Sequence, residues 1–278
     1  MPRFPIHLLG GACLALTLAT PAHAQDSAPT LQTSLGPVSG IVDGGSFSYR
    51  GIPFAAPPTG ENRWRAPQDP TPWTTLRSGA QFGSSCLQTG TDESGISGGE
   101  DCLYLNVWRP AGSEGEALPV MFWIHGGANV VGSSDQSGYN GARLAAENNV
   151  VVVSTNYRLG FLGFFNPEAL HSGDPRDDSG SFALLDQMKA LAWVQDNAEA
   201  IGGAGDRVTI FGESAGGMNS WSLIMSPLAD GLFHRAIIES GCPLFIPLDE
   251  ARRSSASTVE ALVINDGLAS DVAAAQAY

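Results

Sequence analysis

A chain of 278 residues with 43% hydrophobic and 15% charged residues has the composition of a globular protein and excludes a disordered one. That length can bury a full core as one large domain or as two smaller ones. The formal net charge of −14, with Lys189 the single lysine, argues against nucleic acid or an anionic membrane as partner and fits an exported protein kept soluble by its acidity.

Residues 1–24 read as a secretory leader: Arg3 and His7, the apolar stretch from Leu8 to Ala19, then Ala22-His23-Ala24 before Gln25. The stretch is too short to span a membrane, and Cys13 falls within the part to be removed. No later run approaches roughly 18 uninterrupted apolar residues, so the product from Gln25 to Tyr278 is expected to be soluble and exported, periplasmic or secreted. Gln25 to Thr30 reads as a tether, and short antiparallel strands separated by Gly turns begin at Leu35. Gly51-Ile52-Pro53-Phe54-Ala55-Ala56-Pro57-Pro58 predicts extended surface coil, because prolines at this density exclude helix and central strand. Cys86 and Cys102 flank a polar, Gly-rich stretch that cannot pack a core, and an oxidising compartment favours a disulfide between them. Closing such a loop is worth about 3 kcal/mol on the chain-entropy model. Cys242 is then left over, as a buried inert thiol or one whose partner is missing.

From Leu105 the pattern changes. Leu118 to Ile124 reads as a buried strand ending in His125-Gly126-Gly127, and Val150 to Ser154 as a β-branched strand covered on both faces. Leu184, Met188, Leu191 and Ala192 form a helical stripe that Gly202-Gly203 terminates. A strand from Val208, a helix after Ser214 and a strand from Arg235 to Glu239 follow. Strands alternating with helices at this spacing predict an α/β fold, a mostly parallel sheet with helices on both faces.

Gly212-Glu213-Ser214-Ala215-Gly216 is a G-x-S-x-G between an apolar run and small residues, and it nominates Ser214 as a nucleophile at a sharp strand-to-helix turn. An acyl-transfer serine needs backbone N–H donors for the developing oxyanion, a base and a carboxylate that orients the base. Gly127 and Ala128 after a strand, with Ala215 after the serine, are candidate donors. His125 reads as structural, and His171 as a solvated loop residue. His234 lies at the wrong end of its strand for a site at the strands' carboxyl ends. Asp174-Pro175-Arg176-Asp177-Asp178 lacks calcium-loop spacing and no His or Cys cluster suits zinc, so no metal and no cofactor is expected.

Several blocks together resemble the type B carboxylesterase and lipase family, which includes the cholinesterases. They are Gly51 to Ala55 with Pro57-Pro58 and Arg65-Ala66-Pro67; Glu100 to Val107; Asn156-Tyr157-Arg158-Leu159-Gly160; Leu185-Asp186-Gln187; and Phe211 to Gly217. The resemblance implies an α/β-hydrolase fold and cleavage of small-molecule carboxylic esters through an acyl-enzyme on Ser214, with Gly127, Ala128 and Ala215 forming the oxyanion hole. It puts Glu213 in a hydrogen-bond network beneath the site, with a plain surface carboxylate as the alternative, and the Cys86–Cys102 loop over the pocket mouth. Ala128 replaces the family's usual third glycine, which implies altered selectivity. Family members run to roughly double this length and carry the triad acid and histidine in their second half. The chain thus reads as an amino-terminal portion, truncated at its carboxyl side and weakly active or inactive alone. The alternative is a non-catalytic binding relative on the same fold.

Overall fold

The structure is a computed structural model that describes residues 28–90 and 95–277, so the leader expected at 1–24 lies outside the described residues. Seven strands form the central sheet: β1 (Ile41–Asp43), β2 (Ser46–Pro53), β3 (Tyr104–Pro110), β4 (Leu118–Ile124), β5 (Val151–Thr155), β6 (Gly203–Glu213) and β7 (Arg235–Glu239). Their spatial order is β7-β6-β4-β5-β3-β2-β1. β5, β4, β6 and β7 run parallel, whereas β3, β2 and β1 join the flank antiparallel. Ile124 lies opposite Thr155 on one side and Gly212 on the other, so β4, β5 and β6 end level and their following loops share one rim.

Side-chain alternation along β5 explains the two-sided covering. Val151 and Val153 enter the large core with Val120, Phe122, Val208 and Ile210, while Val152 turns to the opposite face beside Trp108. The large core is roofed by α2 (Phe182–Asp196) and α3 (Ala215–Met225), and the other face by α1 (Ala142–Asn148). α2 is buried almost all round: Ala183, Leu185, Ala190, Trp193 and Val194 are covered, whereas Leu184 and Ala192 of the expected stripe are only half-buried. Asn197 ends this helix, donating through Nδ2 to the Trp193 carbonyl, so the stop falls five residues before Gly202.

The Pro-rich segment corrects the surface-coil expectation. Gly51, Ile52 and Pro53 complete β2, and Ile52, Phe54 and Ala55 are buried. A bulge makes this possible. Gly51 takes φ 64°, the β2–β3 register shifts between Tyr49 and Ile52, and the Gly51 N–H left over donates to Asn106 Oδ1 at 2.9 Å. Pro53 closes the strand, where its lost donor matters least.

The stretch after Cys86 is likewise more ordered than its composition suggests. Gln88–Thr89 pairs antiparallel with Ile96–Ser97, and the Cys86–Cys102 disulfide, both cysteines buried, closes the hairpin's base. Cys242 is exposed, which corrects the reading of it as buried.

A buried ion pair joins two of the sequence blocks. Arg158 donates from Nε and Nη2 to both carboxylate oxygens of Asp186 at 2.8 and 2.7 Å, and the Arg158 backbone N–H adds a third bond at 3.0 Å. This fixes the loop after β5 to α2. Asp186→Ala would leave a buried guanidinium uncompensated, and urea unfolding should register a loss of about 3–5 kcal/mol. The Arg158→Met/Asp186→Leu double variant should recover most of it. Equal losses in both would show that packing, not charge, is at stake.

Candidate active site

The turn between β6 and α3 is set by steric crowding. Ser214 sits at φ 55°, ψ −118°, a conformation that costs a non-glycine residue of order 1–3 kcal/mol. Its N–H donates to the Glu239 carbonyl of β7 at 2.9 Å, and its own carbonyl receives the Met218 N–H at 3.0 Å. A Cβ on Gly216 would stand 2.0 Å from the Ile124 carbonyl oxygen, and one on Gly212 would stand 2.6 Å from the Gly216 backbone. Glycine is therefore what lets α3 cross the ends of β4 and β6.

The loop after β4 lies against this turn. A Cβ on Gly126 would come 2.8 Å from the Glu213 carbonyl and 3.2 Å from Ser214 Cβ. Gly127, Ala128 and Asn129 follow with φ of 107°, 54° and 59°, three successive residues of positive φ. The Gly127 carbonyl is turned inward to receive the N–H groups of Val130 and Val131, both at 3.0 Å. The N–H groups of Gly127 and Ala128 donate to no described residue. Ala215 opens α3, so its N–H has no carbonyl one helical turn earlier. Gln88 holds the far end of the loop, accepting from the Gly132 N–H at 2.8 Å and donating to its carbonyl at 2.9 Å. The disulfide-closed hairpin thus reaches the loop through Gln88.

The ionisable groups sort by surroundings. His125 is buried, stacks on Tyr157 with centroids 4.3 Å apart, and its Nδ1 lies 2.8 Å from the Gly126 carbonyl. Burial pushes its imidazole down from 6.5 to about 4, so the ring is neutral with Nδ1–H as donor, and Nε2 has no partner among the described residues. His171 is half-buried and hydrogen-bonded: a short turn at Glu168–Leu170 folds it back so that Nε2 meets Asn166 Oδ1 at 2.5 Å. His234 is bonded to Val208, six residues back along β6 from Ser214, about 20 Å at strand rise. No described side chain hydrogen-bonds Ser214 Oγ. Glu213 is half-buried with its Oε2 against Gly126, and its carboxylate bonds to no described residue. Its charge, after burial, helps raise the Tyr139 hydroxyl.

Beside Ala128 and Asn129 opens a cavity of about 670 Å³, walled by Phe161, Phe164, Phe165, Met218, Leu244 and Phe245. It is large enough for a drug-sized apolar group. No helix among the described residues is long and apolar enough to cross a membrane.

With this geometry in view, residues 27–265 match the model of the carboxylesterase family. The chain belongs to that family. Human cocaine esterase is 43% identical over 283 residues, which cover 95% of this chain and 49% of that protein. The para-nitrobenzyl esterase of Bacillus subtilis (strain 168) is 41% identical over 241 residues, 84% of this chain and 48% of the other. A solved thermophilic PNB esterase superposes with a TM-score of 0.77 at 38% identity, covering 84% of this chain and 48% of that one. These carboxylesterases have the α/β-hydrolase fold, and so does this chain. The chain spans about half the length of the carboxylesterase relatives it matches.

Three residues that hold the loop belong to no motif: Gln88, Asn129 and Asn219. Only Asn129 carries a local signal, since asparagine tolerates the left-handed region and stands two residues after the Gly126-Gly127 pair. The other two are visible only once β4, the hairpin and α3 are folded together.

His125 gives the site a pH signature. An unfolded chain takes up a proton near pH 6.5 that the native ring refuses until about pH 4, so stability is intact above pH 6.5 and falls as pH drops through that window. The loss from this residue should be on the order of 3 kcal/mol at full extent. His125→Asn, whose amide can replace the Nδ1–H donor, should show a shallower fall in Tm between pH 6.5 and 4. Identical slopes would exclude His125 as the group responsible.

Proposed function

We propose that this chain supplies the acyl-transfer half of a serine carboxylesterase, with Ser214 as nucleophile. Ser214 Oγ attacks the ester carbonyl carbon, and the carbonyl oxygen, gaining negative charge, is received by the N–H groups of Gly127, Ala128 and Ala215. Collapse of the tetrahedral intermediate expels the alcohol and leaves an acyl-enzyme, which water hydrolyses through a second oxyanion at the same donors. The carrying observation is the Ser214 turn at φ 55° packed directly on a loop whose Gly127 and Ala128 amides have no partner among the described residues. Donors fixed in advance in this way are worth about 10²–10³ in rate apiece where measured.

Proton transfer from Ser214 needs a base that none of the described histidines supplies. On this reading the base and its carboxylate belong to the length of the relatives that the chain does not span, and the chain alone retains only the small acceleration of the hole and binding. The cavity beside Ala128 accepts a bulky acyl or alcohol group, with Ala128 in its lining. The leader read from the sequence of residues 1–24 and the buried disulfide support export before action on a small-molecule ester.

The test combines a fluorophosphonate label with turnover of p-nitrophenyl acetate by the full gene product. Label should sit on Ser214, and Ser214→Ala should lose the label and lower turnover by about 10³-fold or more. Hydrolysis unchanged in Ser214→Ala would overturn the proposal. The second reading, a binding module on the same fold, is favoured by the Ser214 hydroxyl having no described hydrogen-bond partner. It predicts no labelling of a folded full gene product.

A further inference from the structure

The oxyanion loop carries a structural burden that Gly127 alone does not relieve. Ala128 and Asn129 both sit at positive φ, and residues held there persist only where the surroundings over-determine them. Gln88 fixes the loop after the turn, at Gly132, and Gly126 fixes it before the turn by contact with Glu213. At the turn itself the side chain of Asn129 faces Asn219 of α3. The two amides exchange hydrogen bonds in both directions: Asn129 Nδ2 donates to Asn219 Oδ1 at 3.2 Å, and Asn219 Nδ2 donates to Asn129 Oδ1 at 2.9 Å. The Asn129 carbonyl also accepts the Gly160 N–H at 2.7 Å, which ties the same residue to the loop after β5.

We propose that the Asn129–Asn219 amide pair is a positioning clasp that sets the Gly127 and Ala128 N–H groups relative to Ser214 and Ala215. The inference rests on the reading of Ser214 as nucleophile given above. Asn219 lies five residues after Ser214 on the helix that Ala215 opens, so the clasp references two oxyanion donors on a loop to the third donor and the nucleophile on one rigid element. Asn219 is 3% exposed, and each amide offers the other both a donor and an acceptor. Removing Asn129 leaves the buried Asn219 amide unpaired, and removing either partner takes away the side-chain bond between the apex of the strained loop and α3. Displacement of donors by about 1 Å is enough to cost as much as 10²-fold in rate. Neither asparagine touches the substrate's reacting atoms on this account. Both act through the backbone of Gly127 and Ala128.

The experiment uses Asn129→Gly, which keeps the left-handed backbone and the carbonyl bonded to Gly160, together with Asn219→Ala and the double variant, all in the full gene product. Two quantities are read: kcat and KM for p-nitrophenyl acetate, and native-state hydrogen exchange of the Val130 and Val131 amides, both of which bond to the Gly127 carbonyl. Each single variant should lower kcat by about tenfold or more with KM within about twofold, and the double variant should be no worse than the weaker single. Exchange at Val130 and Val131 should quicken by a similar factor in both singles while Leu223 in α3 stays protected. Losses that multiply in the double variant, a change confined to KM, or unaltered exchange would overturn the clasp. If the unmodified protein shows no Ser214-dependent turnover, the nucleophile reading fails by itself, and the exchange measurement alone decides whether the pair holds the loop.

Discussion

The arrangement depends first on a shortage of space where α3 crosses the carboxyl ends of the strands. The Ile124 carbonyl and the Gly216 backbone are so close that a single methyl group at residue 216 would stand 2.0 Å from the oxygen. Bringing a helix this near to two strand ends forces the chain to reverse within one residue, and Ser214 is that residue. The strain at φ 55° is held by bonds on both sides: the Glu239 carbonyl of β7 captures the Ser214 N–H, and the Ser214 carbonyl receives the Met218 N–H. β7 therefore does more than extend the sheet. Its last residue anchors the turn, and the same closeness puts Gly126 against Glu213, which is what makes the loop and the serine neighbours.

A second layer of constraint is polar and lies beneath the loop. Asn106 accepts the Gly51 N–H and donates to the hydroxyls of Ser134 and Ser154 at 3.0 Å each. Asn156 accepts the Ser134 N–H at 2.8 Å and donates to the carbonyls of Ser84 and Cys102. Both side chains thus converge on Ser134, two residues past the Gly132 that Gln88 grips. The disulfide segment, the bulge of β2 and the loop after β5 meet there. Asn106 and Asn156, polar residues of the family-like blocks, are in this sense anchors of the loop, buried with both the oxygen and the nitrogen of each amide hydrogen-bonded, a condition under which a buried amide rigidifies and does not destabilise.

Local signals made the strands and the strand-to-helix turn legible in the sequence. Val150 to Ser154 can hardly be other than a covered strand, and a G-x-S-x-G after a β-rich run states its own steric reason. What escaped was non-local. The Pro-rich segment reads as surface coil because nothing near it in sequence announces that Asn106, 55 positions on, will take up the orphan N–H of Gly51. α2 shows a stripe to a helical wheel yet is buried nearly all round, because Phe182 lies under Arg158 and the ion pair to Asp186 satisfies the one charge on its inner face. His171 looks solvated among polar neighbours, but a short turn returns it to Asn166. The amide pair of Asn129 and Asn219 spans 90 residues, and nothing in the sequence joins the one partner to the other.

The two halves of the proposed chemistry place different demands on a chain. Receiving an oxyanion takes backbone amides in fixed positions, and such positions come from sterics and hydrogen bonds made early along the sheet: the β4 loop, the β6–α3 turn and the polar anchors beneath them. Taking a proton from a serine takes a side chain with a suitable pKa, and the one histidine bordering the loop is unsuited to it. Burial drives His125 down to about 4, and its Nδ1–H is committed to the Gly126 carbonyl. A ring that resists protonation is a poor base but a good strut, since it stays uncharged beneath the loop down to about pH 4. The site can therefore be built in two physically separate parts. On the proposed reading the acceptor is laid down by the backbone of this chain, and the base is supplied by a group other than the described histidines.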